Sequence, residues 1–120
     1  MTDVASTVNG YIAIWNETDP AQRQVLIAET WTDDATYVDP HMLSEGHEAI
    51  DAMVTAVQER FPDHRFELSN DPDAHHDVVR FGWKLSGPNG AGPIAYGQDF
   101  GTLAPDGRLQ AVTGFSEPAA

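Results

Sequence analysis

A change in the spacing of apolar residues near Pro62 constrains the fold of this chain more than any other feature. Before Pro62, apolar side chains recur every three or four residues, which is the spacing of a helix with one buried face. After Pro62 they alternate with other residues, which is the spacing of a strand with one buried face. Helices that precede strands predict an α+β domain, in which three helices pack on a curved antiparallel sheet and close a cone with an internal pocket.

Three amphipathic helices are predicted before Pro62. The first stops near Asn16 to Asp19, and the second begins at Asp19-Pro20, where an aspartate cap precedes a proline at the first helical position. The third follows Glu45-Gly46 and ends at Pro62. Their apolar stripes are Val4, Val8, Tyr11, Ile12 and Trp15; Val25, Leu26 and Ala28; and Ile50, Met53, Val54, Val57 and Phe61.

One short strand is predicted between the second and third helices, and four strands after Pro62. The short strand, at Tyr37-Val38, follows a helix break at Asp33-Asp34 and delivers Asp39, which Pro40 holds in place. Turn-forming residues link the later strands closely, which favours an antiparallel meander. The residues predicted to share one face are Phe66 and Leu68; Val79, Phe81, Trp83 and Leu85; Tyr96, Gln98 and Phe100; and Leu109, Ala111, Thr113 and Phe115.

Composition restricts the binding partners and the cellular compartment that can be expected for this chain. The 120 residues predict a single domain over 1–120. Because 19 acidic and 6 basic residues give a net charge of -13, the chain is expected to repel nucleic acids and anionic membrane surfaces. There is no cysteine, no basic segment before an apolar run at the N-terminus, and no run of about 20 apolar residues. We therefore expect a soluble, cytoplasmic protein with no nucleic-acid or membrane partner.

Three polar residues fall on faces that are otherwise apolar, namely Tyr11, Asp39 and Gln98. Burying such a group without a partner costs about 1 to 3 kcal/mol, so packing alone would favour apolar residues at these positions. Their coincidence predicts a polar site inside the cone. Each also has a structural alternative: Tyr11 directs its hydroxyl to solvent, Asp39 caps the turn before Pro40, and Gln98 bonds the backbone.

Apolar side chains are predicted to line the cone around these polar groups. A wall rich in aromatic rings suits a flat, apolar ligand. The alternative is that the same residues only form the core. The lining residues expected from the helices and strands are Trp31, Met53, Phe81, Trp83, Tyr96, Phe100 and Phe115.

The order of elements and several local motifs resemble the nuclear transport factor two superfamily, and within it the SnoaL-like polyketide cyclases and ketosteroid isomerases. The resemblance covers almost the whole chain. It is carried by Tyr11 in the first helix, the run from Asp33 to Pro40, Gly46 and Ile50 at the start of the third helix, and the ending from Asp99-Phe100 to Thr113-Gly114-Phe115. It implies a cystatin-like α+β roll, in a superfamily that includes isomerases, cyclases, dehydratases, epoxide hydrolases and non-catalytic subunits.

The resemblance also implies roles for individual residues. Asp39 stands where ketosteroid isomerases keep a general-base aspartate, and Tyr11 where they keep a tyrosine that donates to the developing oxyanion. Gln98 stands where they have a protonated aspartic acid, which is a departure from the family pattern. His41 is a candidate second proton carrier, because an unperturbed imidazole titrates near neutral pH. Val54 and Thr113, with Trp31, complete the predicted substrate-binding set.

Other chemistries find less support in the sequence. Among His41, His47, His64, His75 and His76, no two have the spacing of a metal-binding pair on a helix, so no metal is predicted. No phosphate-binding loop or dinucleotide fingerprint is present, and no cofactor is predicted. An epoxide hydrolase relay would need Arg80, which the strand alternation directs away from the cone unless a bulge reverses it.

Two functional hypotheses follow. The first is a cofactor-free proton-transfer enzyme, of isomerase, cyclase or dehydratase type, that acts on a small apolar carbonyl compound through Asp39, Tyr11 and Gln98. The second is a ligand-binding or assembly module without chemistry. The outer sheet face is expected to carry Arg80, Gly82, Lys84, Gly97, Gly101, Val112 and Gly114, and the family resemblance implies a homodimer through this face. Asp99 is expected on the same face, where it would need a partner such as Arg80 if buried.

Overall fold

The computed structural model describes residues 3–119, so Met1, Thr2 and Ala120, the ends of the predicted 1–120 domain, lie outside the described residues. The described part contains three helices and seven strands. In chain order these are α1 (Val4–Asn16), α2 (Pro20–Thr30), β1 (Trp31–Val38), β2 (Leu43–Glu45), α3 (His47–Arg60), β3 (Arg65–Leu68), β4 (Asp73–His75), β5 (Val78–Ser86), β6 (Pro93–Leu103) and β7 (Leu109–Pro118).

The strands form one open sheet in the order β2-β1-β7-β6-β5-β3, with β4 also paired to β5. The predicted α+β class, with three helices on a curved sheet, is confirmed. The sheet is mixed, because β1 runs parallel to β7 while the other pairs are antiparallel. A parallel pair needs a long crossover, and here the whole chain between the two strands supplies it.

The predicted cap of α2 is confirmed, because the side chain of Asp19 accepts a hydrogen bond from Ala21 N. The structure also shows a cap on α1 that was not predicted, in which the side chain of Asp3 accepts from Ser6 N. The short-strand prediction was less accurate at its start. Since α2 ends at Thr30 and β1 begins directly at Trp31, Asp33 and Asp34 lie inside a strand, in a stretch where pairing with β7 is irregular.

An ion-pair cluster joins the three helices. Arg23 of α2 is 2% exposed. Its guanidinium donates to Asp51 and Thr55 of α3, at 2.6 and 2.7 Å, and to the Glu17 carbonyl that follows α1, at 2.7 Å. Because each nitrogen of this buried guanidinium has a nearby acceptor, the cluster fixes the spacing of the helices over the sheet.

Within residues 3–119, no helix is long and apolar enough to cross a membrane.

The predicted inward faces are correct for β5 and wrong for β6. Phe81 of β5 pairs with Asp99 of β6, and Trp83 pairs with Gly97, so these four residues share the inner face. Tyr96, Gln98 and Phe100 point to the opposite, outer face. The prediction failed because the large apolar residues of β6 lie outside, while its inner face carries Gly97, Asp99 and Gly101.

In β7 an extra residue explains why the predicted inward face is wrong after Leu109. Leu109 is buried as predicted, but Gln110 has no partner between the pairs Leu103–Leu109 and Thr102–Ala111, which is the pattern of a β-bulge. The bulge reverses the alternation, so that Thr113 and Phe115 lie on the outer face. The residues expected outside that belong to the inner face are Gly97, Asp99, Gly101, Val112 and Gly114, whereas Arg80, Gly82 and Lys84 are outside as predicted.

Candidate functional site

A cavity of about 340 Å³ lies between the inner face of the sheet and the helices, near the C-terminal ends of β1 and β7. Its walls come from α1, the end of α3 and five strands, and they are mostly aromatic and aliphatic. The polar and aromatic groups that matter for its chemistry are Tyr11, Tyr37, Asp39, Trp83, Asp99 and Glu117.

Asp99 is the buried centre of the cavity wall, with 2% of its surface exposed. The Tyr11 hydroxyl donates to its Oδ2 at 2.6 Å, and the Trp83 indole N–H donates to its Oδ1 at 3.1 Å. These bonds join β6 to α1 and β5. Both carboxyl oxygens are therefore partnered, although the group sits among apolar neighbours.

Burial raises the pKa of Asp99 to about 6. The hydrogen bonds from Tyr11 and Trp83 act in the opposite direction, since they favour the ionised form, and the charge of Asp39 adds to the rise. Burial also raises the pKa of Tyr11, and the negative charge of Asp99 raises it further. Tyr11 therefore stays protonated, whereas Asp99 can be neutral or ionised near physiological pH.

A second carboxylate, Asp39, lies at the end of β1 in the same cavity. Its Oδ2 accepts from the Tyr37 hydroxyl at 2.7 Å. Its Oδ1 accepts from the backbone N–H groups of His41 and Met42, at 2.8 and 2.9 Å. Asp39 thus caps the turn, as the structural alternative held, and also faces the cavity.

Two glycines give these groups the space they occupy. A Cβ atom on Gly114 would lie 2.8 Å from Asp99 Oδ1, 3.3 Å from Tyr37 Oη and 3.5 Å from Asp39 Cβ. A Cβ atom on Gly97 would overlap the Trp83 indole. Side chains at either position would displace the hydrogen-bonding groups, so glycine at both positions preserves the geometry of the site.

The structure brings together four of the predicted site residues. Tyr11, Asp39 and Trp83 line the cavity, and His41 lies at its mouth with an exposed side chain. Their catalytic or binding roles stay predictions.

The remaining predicted site residues lie elsewhere. Gln98 is exposed on the outer face of the sheet, and its neighbour Asp99 holds the inward position next to Tyr11. Gln98 was expected in the cavity because the predicted face of β6 was wrong by one residue. Tyr96, Phe100, Thr113 and Phe115 are also on the outer face, whereas Trp31, Met53, Val54 and Phe81 are buried in the core and do not line the cavity.

Sequence reasoning missed Asp99, Tyr37, Trp15 and Phe66, which line the cavity. A signal for Asp99 was present in the pattern Gly97-x-Asp99-x-Gly101, since a carboxylate between glycines on one strand face indicates a crowded inner surface. Among residues 3–119, no group of three or more histidine, aspartate or glutamate side chains is arranged to hold a metal ion.

The family model for the SnoaL-like domain matches residues 8–112. The chain belongs to the SnoaL-like family. A candidate isomerase of this family from Agrobacterium tumefaciens is 38% identical, with a TM-score of 0.90, and the match covers 98% of this chain and 99% of that one. No curated protein matches the chain in sequence.

More distant structures share the fold of this SnoaL-like domain. A candidate SnoaL-like polyketide cyclase from Jannaschia is 19% identical with a TM-score of 0.71, over 98% of this chain and 90% of the other. A protein with a ketosteroid isomerase-like fold from Catenulispora acidiphila, in complex with trimethylamine, is 16% identical with a TM-score of 0.74, over 93% and 85%. At these identities the likeness concerns architecture alone.

The raised pKa of Asp99 predicts a specific dependence of stability on pH. The unfolded chain ionises this group near pH 3.8, whereas the folded protein keeps it neutral up to about 6. Because the fold disfavours the ionised carboxyl, the folded protein loses stability as the pH rises from about 3.8 to about 6. Relative to Asp99→Asn, the free energy of unfolding of the wild type should fall by about 3 kcal/mol across the window.

Denaturant unfolding at about pH 3.5 and 7.5 measures this difference. The Asn variant keeps both bonds of the neutral acid, since its oxygen can accept from Trp83 and its amide can donate to Tyr11. Glu29→Gln, which removes one exposed carboxylate of α2, controls for net charge. An equal difference between wild type and Asp99→Asn at both pH values would contradict the raised pKa.

Proposed function

We propose that this SnoaL-like protein is a cofactor-free proton-transfer enzyme that acts on a small, largely apolar carbonyl compound, as an isomerase, cyclase or dehydratase. One observation carries the proposal: the buried Tyr11–Asp99 pair and Asp39 line the same apolar cavity, and a Cβ atom on Gly114 would lie 2.8 Å from Asp99 Oδ1 and 3.5 Å from Asp39 Cβ. A hydrogen-bond donor beside a carboxylate base is what removal of a proton next to a carbonyl group requires.

Tyr11 would bind the substrate oxygen, and Asp99 would orient the Tyr11 hydroxyl. Because the Trp83 indole can only donate, Asp99 Oδ1 must accept, and a proton on the neutral carboxyl belongs on Oδ2. From there it points to the Tyr11 oxygen at 2.6 Å, which leaves the Tyr11 hydroxyl proton free for the substrate. When Asp99 is ionised, it takes the Tyr11 proton instead, and this donor is lost to the substrate.

Asp39 would act as the base. The Tyr37 hydroxyl and two backbone N–H groups hold its carboxylate in one orientation beside the cavity. It would remove the proton next to the substrate carbonyl while negative charge develops on the oxygen held by Tyr11, and then return the proton to another atom. His41, at the cavity mouth, would exchange protons with solvent.

The cavity supports a small ligand. Its volume of about 340 Å³ is at the low end of the range for small-molecule sites, and its walls are predominantly apolar. The Agrobacterium tumefaciens relative is itself a candidate isomerase, which agrees with proton transfer without identifying a substrate.

A ligand-binding module without chemistry is the second candidate function. It is favoured by the three hydrogen bonds to Asp39, since they engage both carboxyl oxygens in a local turn. In that case the cavity would bind a ligand and the Asp39 carboxylate would serve only as a cap.

Replacement of the base tests the enzymatic proposal. Exchange of the protons next to the carbonyl of 4-phenyl-2-butanone in deuterated water can be followed by NMR, and an enzyme of this kind should accelerate it. Asp39→Asn and Tyr11→Phe should each slow the exchange by about two decades or more, while Glu29→Gln should leave it unchanged. A rate in Asp39→Asn equal to that of the wild type would rule out Asp39 as the base.

The same assay should depend on pH with a defined sign. Because Asp99 must be neutral for Tyr11 to donate to substrate, kcat/KM should decline as the pH rises through about 6. Asp99→Asn should remove this decline, since its amide donates to Tyr11 at every pH. A decline that persists in Asp99→Asn would assign it to another group.

We further propose that the outer sheet face forms a homodimer interface. Three aromatic side chains are exposed there, Tyr96 by 42%, Phe100 by 45% and Phe115 by 58%, and the rings of Phe100 and Phe115 lie 6.0 Å apart. Exposed apolar groups gathered on one surface are typical of association sites. Since Asp99 lies on the inner face, the interface would not bury its charge.

Light scattering at micromolar concentration and moderate salt tests this assembly. The wild type should have the mass of two chains, and Phe115→Asp should be monomeric, because the new carboxylate would be buried without a partner. Val25→Asp, which places the same charge on an exposed position of α2, should remain dimeric. A monomeric wild type, or dissociation in both variants alike, would refute an interface at Phe115.

A further inference from the structure

Four aromatic rings form a continuous row along the cavity wall, in the order Tyr37, Trp15, Phe66 and Trp83. Neighbouring ring centroids lie 5.8, 5.5 and 5.4 Å apart. Successive ring planes are inclined by 56°, 53° and 71°, so the rings are not stacked flat. We call these four residues the ring row.

A carboxyl group is hydrogen-bonded to each end of the ring row. At one end Tyr37 Oη donates to Asp39 at 2.7 Å, and at the other Trp83 Nε1 donates to Asp99 at 3.1 Å. Glu117 adds a third carboxylate at the cavity rim. The lining residues within the described chain include no lysine or arginine, so no fixed cation balances these charges.

We propose that this cavity is also a binding site for organic ammonium ions, which lie against the ring row and exclude the neutral carbonyl ligand. Aromatic faces attract cations through the ring quadrupole, and most strongly when water is excluded. The carboxylates attract the same charge across a cavity of low polarity. An alkylated ammonium fits this arrangement because its methyl groups pack against rings and demand no hydrogen bonds. This binding involves no proton transfer and so goes beyond the proposed function.

The two ligand classes should respond to pH in opposite directions. An ammonium ion is attracted by ionised Asp99, whereas a carbonyl oxygen needs neutral Asp99 so that Tyr11 can donate to it. The other titratable groups that face this space are Tyr37 of β1, Asp39 directly after β1, His41 at the mouth, and Glu117 of β7. Protonation of His41 would also repel a cation at low pH, so His41→Gln is needed to separate its effect from that of Asp99.

Three probes with the same phenethyl body and different head groups test the proposal. They are phenethyltrimethylammonium, a permanent cation; 4-phenyl-2-butanone, a neutral ketone; and 3-phenylpropanoate, an anion. Quenching of tryptophan fluorescence can report binding, because Trp15 and Trp83 line the cavity. At about pH 7.5 and physiological salt, the cation should bind at least about fivefold more tightly than the anion and should displace the ketone. Binding of the cation should tighten, and that of the ketone weaken, as the pH rises through about 6.

Variants distinguish a specific cation site from the nonspecific attraction of cations to a chain with a net charge of -13. Phe66→Leu keeps an apolar side chain and removes one ring, so it should weaken cation binding by about two- to thirtyfold and ketone binding less. Asp99→Asn should abolish the pH dependence of cation binding, and this dependence should persist in His41→Gln. Glu29→Gln should change nothing.

Two results would overturn the proposal. One is cation binding no tighter than anion binding, and the other is an equal loss in Glu29→Gln and Asp99→Asn. Ketone binding and proton exchange are measured separately in the same experiments. If the protein binds the ketone and exchanges its protons but does not bind the cation, the proposed function stands and the cation site is refuted.

Discussion

The site depends on one interaction, the burial of the Asp99 carboxyl between the Tyr11 hydroxyl and the Trp83 indole. A carboxyl taken out of water loses hydration that only well-placed donors replace, and the two donors here come from α1 and β5. The raised pKa of Asp99 is the remaining cost of this burial. That cost also gives the group its proposed role, since a carboxyl that stays neutral up to about pH 6 can donate a hydrogen bond.

Much of the scaffold serves to hold these donors in place. Asn16 bonds the backbone of Phe66 at 2.8 and 2.9 Å and so fixes the end of α1 against β3. The Arg23 cluster fixes α1 and α2 against α3. Gly97 and Gly114 leave space for the indole and for the two carboxyl groups. A polar site inside a small core thus requires rigid helices on one side and bare backbone on the other.

The helices, β5 and the Asp39-Pro40 corner could be predicted from the sequence because each depends on local spacing. The faces of β6 and β7 could not. In β6 the alternation is equally regular on both faces. Because the large aromatic residues of this strand lie outside, side-chain size predicted the wrong inner face. In β7 the bulge at Gln110 reverses the faces, and its position depends on pairing with β6. A shift of one residue was enough to replace Asp99 by Gln98 in the predicted site.

Asp99 is a buried carboxyl that shares a hydrogen bond with Tyr11. Carbon-13 NMR of the aspartate side chains, with Asp99→Asn used to assign the signal, measures its titration directly. Asp99 should titrate with a pKa of about 6, and with a still higher pKa in Trp83→Phe, because the indole bond favours the ionised form. Titration of Asp99 near 3.8, the ordinary value for an aspartate, would show that burial does not raise its pKa.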